Sequence, residues 1–281
     1  MHTQRAQTRF CLEQPWFVFS ATQRYQAAQS LDTSISHFYS FVADRPSSSA
    51  LAIPDGCVDL IFECDATRPN ARVCGSPSKV RAFALNQGQR YFGVRFCSGI
   101  NPAFLSLSAG ELKDQEIDLC EAIKGAETLV EMAAGSLAFD ALCKGVERFF
   151  EHAATYENKG LTQRVIGLIK QHRGTLAMRE LETHFACTSR TLQRQFKQDT
   201  GMSPKAFSRI VRCQEAFKLL EKPRYNALDV ALELGFSDQS HFQREFKELV
   251  SLTPLDYAQR THGEYGDCIE LSPPARTITV H

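Results

Sequence analysis

Between Leu176 and Gln259 one pattern is written twice, and this internal repeat constrains the chain more than any other feature. The first copy runs Arg190-Thr191-Leu192-Gln193-Arg194-Gln195-Phe196-Lys197, and the second runs Ser240-His241-Phe242-Gln243-Arg244-Glu245-Phe246-Lys247, with an offset of 50. The match continues through Ser203-Pro204 against Thr253-Pro254 and through Phe207 against Tyr257. Upstream the offset becomes 49, where Leu181, Phe185, Ala186, Cys187 and Thr188 align with Val230, Leu234, Gly235, Phe236 and Ser237. Such density implies two copies of one supersecondary unit.

Each copy has the layout of a helix, a tight turn and a second helix. In the second copy Val230, Ala231 and Leu234 form an apolar stripe. Gly235 tolerates positive φ at the turn, and Ser237 or Asp238 can cap the helix that follows. Helical spacing turns Leu192 and Phe196 inward in one copy, and Phe242 and Phe246 inward in the other. Arg190, Gln193, Arg194 and Lys197 are left outside in the first copy; Gln239, Ser240, Gln243, Arg244 and Lys247 are left outside in the second. Arginine pairs bidentately with guanine and glutamine with adenine in the major groove, so these faces suit base edges. Lys197, Lys205, Arg209, Arg212 and Lys247 suit phosphate contacts or touch nothing specific. For His241, an approach to DNA and a capping or surface role are both open.

Pro204 sits where a first helical turn tolerates it, and Lys205 to Leu220 carries Phe207, Ile210, Val211, Gln214, Phe217 and Leu220 at helical spacing. About 16 residues give roughly 24 Å of helix. With the radii of the flanking units added, the two second helices would stand about 34 Å apart, one turn of DNA.

These residues resemble the AraC/XylS-type transcriptional regulators, whose DNA-binding domain is two helix-turn-helix units joined by a long helix. The resemblance is close over Asp229 to Tyr257, where Ala231-Leu232-Glu233-Leu234-Gly235-Phe236-Ser237-Asp238-Gln239-Ser240-His241-Phe242 looks like the family signature, and good over Leu176 to Leu220. Ala186 and Ser251 stand where the family usually has Gly, and Glu182 where it usually has Ala. The resemblance implies double-stranded promoter DNA and RNA polymerase as partners, activation more often than repression, no enzymatic activity and no cofactor. Family members with N-terminal domains of this kind often respond to small molecules.

Charge is distributed as a polyanion partner would require. The 281 residues balance to zero, yet residues 159–262 hold 17 Lys/Arg against 11 Asp/Glu, a net +6, while residues before 159 carry −4 and those after 262 carry −2. The polar N-terminus, Met1 to Arg9, precedes no apolar run that could form a signal-peptide core, so a cytoplasmic protein is expected. Ten cysteines are scattered without a CxxC pair, and eight histidines form neither HxH nor HxxxH. Reduced thiols and no metal site are the expectation.

The expected fold class is α+β, with three parts: an N-terminal β-rich unit over 1–158, a DNA-binding domain over 159–265 and a loosely held tail over 266–281. Strands are expected at Ile35 to Val42, Leu51 to Ile53, Val58 to Glu63 and Tyr91 to Phe96, with turns at Pro54-Asp55-Gly56, Gly75-Ser76-Pro77 and Asn86-Gln87-Gly88. A small barrel or sandwich follows from this spacing. From Pro102 onward the period is helical, through Leu119 to Ala133 and Ser136 to Ala153. The apolar stripe of the latter suggests a homodimer interface. Glu157-Asn158-Lys159-Gly160 reads as the linker.

Asp59 and Arg95 interrupt apolar strands on the face opposite Leu60, Phe62, Phe92, Val94 and Phe96. If that face lines an interior they could orient a small polar effector, together with His37, Tyr39, Asp55 and Tyr91. If it meets water they are surface charges. Two rival functions are a thiol-based redox-sensing regulator and a methyl acceptor in alkylation repair. The second would need a four-cysteine zinc cluster that the spacing does not supply.

Overall fold

The computed structural model describes residues 22, 25–44, 50–135, 137–151, 160–261 and 269–272. The N-terminal stretch, most of the expected linker and Pro273-Pro274 lie outside these residues.

The N-terminal unit contains β1 (Tyr25–Ala28), β2 (Ile35–Val42), β3 (Ala50–Ala52), β4 (Asp59–Glu63), β5 (Asn70–Cys74), β6 (Arg81–Phe83) and β7 (Arg90–Phe96). A short α1 (Ala109–Leu112), β8 (Glu116–Asp118), α2 (Leu119–Ala122), α3 (Glu127–Ala134) and α4 (Phe139–Phe150) follow. One sheet is ordered β8-β5-β4-β7-β2-β1-β9, where β9 is Ile269–Ser272, and β3 pairs with β6 separately. Alternation along the strands builds a core on each face of this sheet. Leu60, Phe62, Phe92, Val94 and Phe96 meet Leu129, Phe139, Leu142, Val146 and Phe150 of α3 and α4. On the reverse face Tyr25, Tyr39, Phe41, Ile61 and Tyr91 form a second core, with Phe83 of β6 packed against it. The outcome is a sandwich, with an open sheet rather than a closed barrel.

Two features bear on the expectation. The face of α4 that covers the sheet is Phe139, Leu142, Cys143, Val146 and Phe150; of the expected stripe, Leu142 and Val146 are buried there, Phe149 is half-buried, and Leu137, Ala138 and Ala141 stay exposed. In the tail, Ile269–Ser272 adds to β1 in parallel, since the edge of β1 offers unpaired backbone groups to any extended segment that reaches it.

The C-terminal unit is all-helical: α5 (Gly160–Gln171), α6 (Met178–Phe185), α7 (Ser189–Thr200), α8 (Pro204–Leu220), α9 (Ala227–Glu233), α10 (Gln239–Val250) and α11 (Pro254–Thr261). Ser203 caps α8 by accepting from Ala206 N at 3.2 Å, and Pro204 takes the first turn, where a missing N–H costs nothing. The single helix α8 serves two cores. Its first half gives Phe207, Ile210 and Val211 to Val165, Ile169, Leu181, Leu192 and Phe196. Its second half gives Ala216, Phe217 and Leu220 to Val230, Phe242, Phe246 and Tyr257. The Phe217 ring lies 5.3 Å from Phe246 and 4.6 Å from Tyr257, so the repeat positions Phe196/Phe246 and Phe207/Tyr257 are the packed centres of the two units.

Candidate DNA interface and N-terminal cavity

In α7 and α10 the inward positions are filled by Leu192, Phe196, Phe242 and Phe246, with Asp199, Thr200, Leu249 and Val250 buried at the C-terminal ends, so the intervening positions face outward. Arg190, Gln193, Arg194 and Lys197 on α7 are exposed, as are Gln239, Ser240, Gln243, Arg244 and Lys247 on α10. Among the described residues none of Arg190, Arg194, Lys197, Arg244 and Lys247 forms an ion pair. Five cations on two repeat-related helix faces are therefore left without an ion pair among the described residues, Arg244 having Asp238 in its vicinity, and such faces suit a polyanion.

The turns that present these helices use the left-handed backbone expected of them. Ala186 has φ 49° and its counterpart Gly235 has φ 66°; Gly201 at 73° and Ser251 at 58° close the second helices. The change of offset from 49 to 50 also has a cause. Thr188 caps α7 two residues after Ala186, whereas Asp238 caps α10 three residues after Gly235, so the second turn is one residue longer. Asp238 accepts from His241 N at 2.7 Å, which holds its carboxyl below the usual range. Glu182 accepts from Ser189 N and so ties α6 to the first turn of α7.

Three further side chains near these faces have partners within the protein. Arg209 pairs with Glu245 at 3.2 Å and Glu248 at 2.8 Å, bracing α8 against α10. Arg212 lies over the Phe236 ring at 4.7 Å and 3.8 Å from Glu245. His241 is half-buried, with Nδ1 3.1 Å from Ser237 Oγ and the ring packed edge-on to Phe236. These tertiary pairings are not registered by helical spacing.

In the N-terminal unit the strand register sets a polar row across the reverse face of the sheet: His37 opposite Arg95, Arg95 opposite Asp59, and Asp59 opposite Cys74. Asp59 is 8% exposed and Arg95 6%, which removes the reading as surface charges. Arg95 Nη2 and Nε donate to Asp59 at 2.8 and 3.0 Å, Nη1 pairs with Asp55 at 2.9 Å, and Tyr39 donates to Asp59 at 3.3 Å. Burial opposes the charge on Arg95, but Asp59 and Asp55 outweigh it and raise its pKa well above the usual value. His37 is driven the other way, to about 3, by burial and then by Arg95, so it is neutral at ordinary pH. A cavity of about 40 Å³ opens beside the row, lined by Ile53, Asp55, Asp59, Cys74, Phe83 and Arg95 among others. That volume holds a few waters. Tyr91 stands apart, accepting from Asn86 N at 2.9 Å.

A helix-turn-helix domain model matches residues 167–260, and a domain of unknown function (DUF6597) matches residues 23–118. The transcriptional activator RhaS of Klebsiella pneumoniae (strain 342) is 31% identical over 106 residues, 38% of either chain. RhaS of Escherichia coli (strain K12 / DH10B) is 35% identical over 79 residues, 28% of either chain. Residues 167–260 are an AraC-type helix-turn-helix domain. The chain thus spans well under half the length of these curated relatives. Among solved structures, an AraC-type DNA-binding protein from Chromobacterium violaceum covers 37% of this chain and 93% of its own, at 21% identity and TM-score 0.35. ToxT from Vibrio cholerae covers 79% of this chain and 98% of its own, at 11% identity and TM-score 0.46.

Within the AraC-type domain the repeat exposed the reading faces directly. Around the cavity, Cys74, Arg81, Phe83 and Glu116 were not singled out, because β5, β6 and β8 carry no strong strand signal and reach the site only through pairing. Alternation of Ala71 and Val73 with Arg72 was the available clue to β5.

Proposed function

We propose that this protein is a sequence-specific DNA-binding transcription regulator that reads two successive major grooves with α7 and α10. The carrying observation is the pair of exposed faces on structurally repeated helices, with five cations that form no ion pair among the described residues. Support comes from α8, whose 17 residues span about 25 Å, and from the net +6 of residues 159–262. Relatives named as activators favour activation, with RNA polymerase as the protein partner, in the cytoplasm. No catalytic step enters this reading. Among the described residues no helix is long and apolar enough to cross a membrane. Selection from a random DNA pool with the full-length protein tests it: a two-part consensus with halves about one turn apart is expected, and recovery of unrelated sequences would refute it.

A second reading concerns control. The buried Asp55–Arg95–Asp59 group beside a cavity favours a small polar effector held there, oriented by those three residues with Tyr39 behind them. Burial raises the thiols of Cys74, Cys143 and Cys213 and makes these three poor nucleophiles. Thermal unfolding across a set of small polar compounds should find one that stabilises wild type but not Asp59→Asn. Equal stabilisation of both would remove the site.

A further inference from the structure

The N-terminal unit grips both helix-turn-helix units, and it does so at matching ends of the two reading helices. At the C-terminal end of α7, a Cβ on Gly201 would lie 2.4 Å from the Ala109 carbonyl oxygen and 3.3 Å from Gly110 N, so the backbone of α1 rests directly on this cap. At the C-terminal end of α10, the Leu249 carbonyl accepts from Val80 N at 3.1 Å. Gly201 and Ser251, the repeat-equivalent caps, stand next to these two contacts. Between them the same unit lies along α8. Pro54 O accepts from Gln214 Nε2 at 3.0 Å, a Cβ on Gly99 would lie 2.6 Å from Ile166, and Ile53 is built into the second core with Phe217 and Phe246.

What holds the two units to each other is slight by comparison. Their cores are separate along α8. Apart from the braces that Arg209 and Arg212 set from α8 to α10, an ion pair bridges them from Arg173 to Glu233 at 2.9 Å; it is 36% and 45% exposed, and exposed pairs of this kind contribute little and are screened by salt. A single helix fixes distance along its axis, but two small units packed on it by one face each can still roll.

We propose that Val80, Ala109, Gly201 and Gln214 are positioning residues for DNA reading, and that the N-terminal unit, through them, sets which separation of half-sites the protein accepts. This rests on the DNA-binding reading above. A shift of one base pair moves a half-site by about 3.4 Å and turns it by about a tenth of a revolution, which a held pair of reading helices tolerates poorly.

The test uses full-length protein and duplexes carrying the selected half-sites at the native separation and at one base pair more or less. Wild type should prefer the native separation by about tenfold, equivalent to ~1.4 kcal/mol. Gln214→Ala and Val80→Pro remove one hydrogen bond each, and the pair should flatten that preference to about twofold while leaving affinity for a single half-site unchanged. Thermal unfolding of the same samples identifies folded variants; if the pair fails to fold, Gln214→Ala alone carries the measurement. Folded variants that keep the wild-type separation preference would overturn the proposal, because a purely structural role lowers all affinities alike. Wild type that binds strongly and accepts all three separations equally would also overturn it, leaving the DNA-binding reading intact. Absence of salt-dependent binding by wild type would sink both.

Discussion

Arg194 and Arg244 occupy the same place in the two copies, exposed and without ion pairs among the described residues, and the proposed reading assigns each a base. Replacing either with Ala should cost roughly 1–3 kcal/mol and relax preference in its own half-site only, which repeating the binding-site selection would reveal. Recovery of one consensus by wild type and both variants would mean that neither arginine reads sequence. Ala186 invites a different substitution. Its φ of 49° carries a left-handed penalty of about 1–2 kcal/mol for a residue with a Cβ, which glycine avoids in the fold but partly returns through unfolded-state entropy. Ala186→Gly should therefore raise stability by up to about 1 kcal/mol in chemical denaturation. A loss would show that the Cβ makes contacts worth more than the strain.

At the scale of elements, β2, β4 and β7 cross the sheet so that His37, Arg95 and Asp59 fall in one buried row. His37 has its pKa depressed to about 3 in the fold, against about 6.5 when unfolded. The unfolded chain thus binds a proton first as pH falls, and the stability this residue contributes is complete above about 6.5 and declines as pH drops toward 3. Wild type should lose a few kcal/mol more than His37→Gln between pH 7 and 4 in urea titrations; parallel curves would contradict the assignment. Arg95→Met leaves Asp55 and Asp59 buried without their shared cation and should cost about 3–5 kcal/mol at pH 7. The helices and the strands β2, β4 and β7 were legible because their period is unbroken over five or more residues. By contrast, β1, with Tyr-Gln-Ala-Ala, and β6, with three residues, carry almost no pattern of their own. The polar row was half legible: alternation put Asp59 and Arg95 on one face, but burial of that face depends on β3 and β6 covering it.

For the whole molecule, the proposed reading assigns both half-sites to one chain, while on α4 Leu142 and Val146 are covered by the sheet and Leu137, Ala138 and Ala141 stay exposed. The contacts of Ile53, Val80 and Ala109 with the helical units were not legible, since they join segments more than 80 residues apart, Val80 and Ala109 through backbone groups that any residue carries and Ile53 through one apolar side chain. The charge asymmetry was legible from a count, and it bears on the central claim that the outer faces of α7 and α10 hold DNA. The most direct check is the affinity of the full-length protein for its selected duplex as salt is raised. The account predicts a linear fall of log Kobs with log salt concentration, with the slope reduced by about one unit in Lys197→Ala and by about one in Lys247→Ala. Affinity that ignores salt, or slopes identical in wild type and both variants, would contradict it.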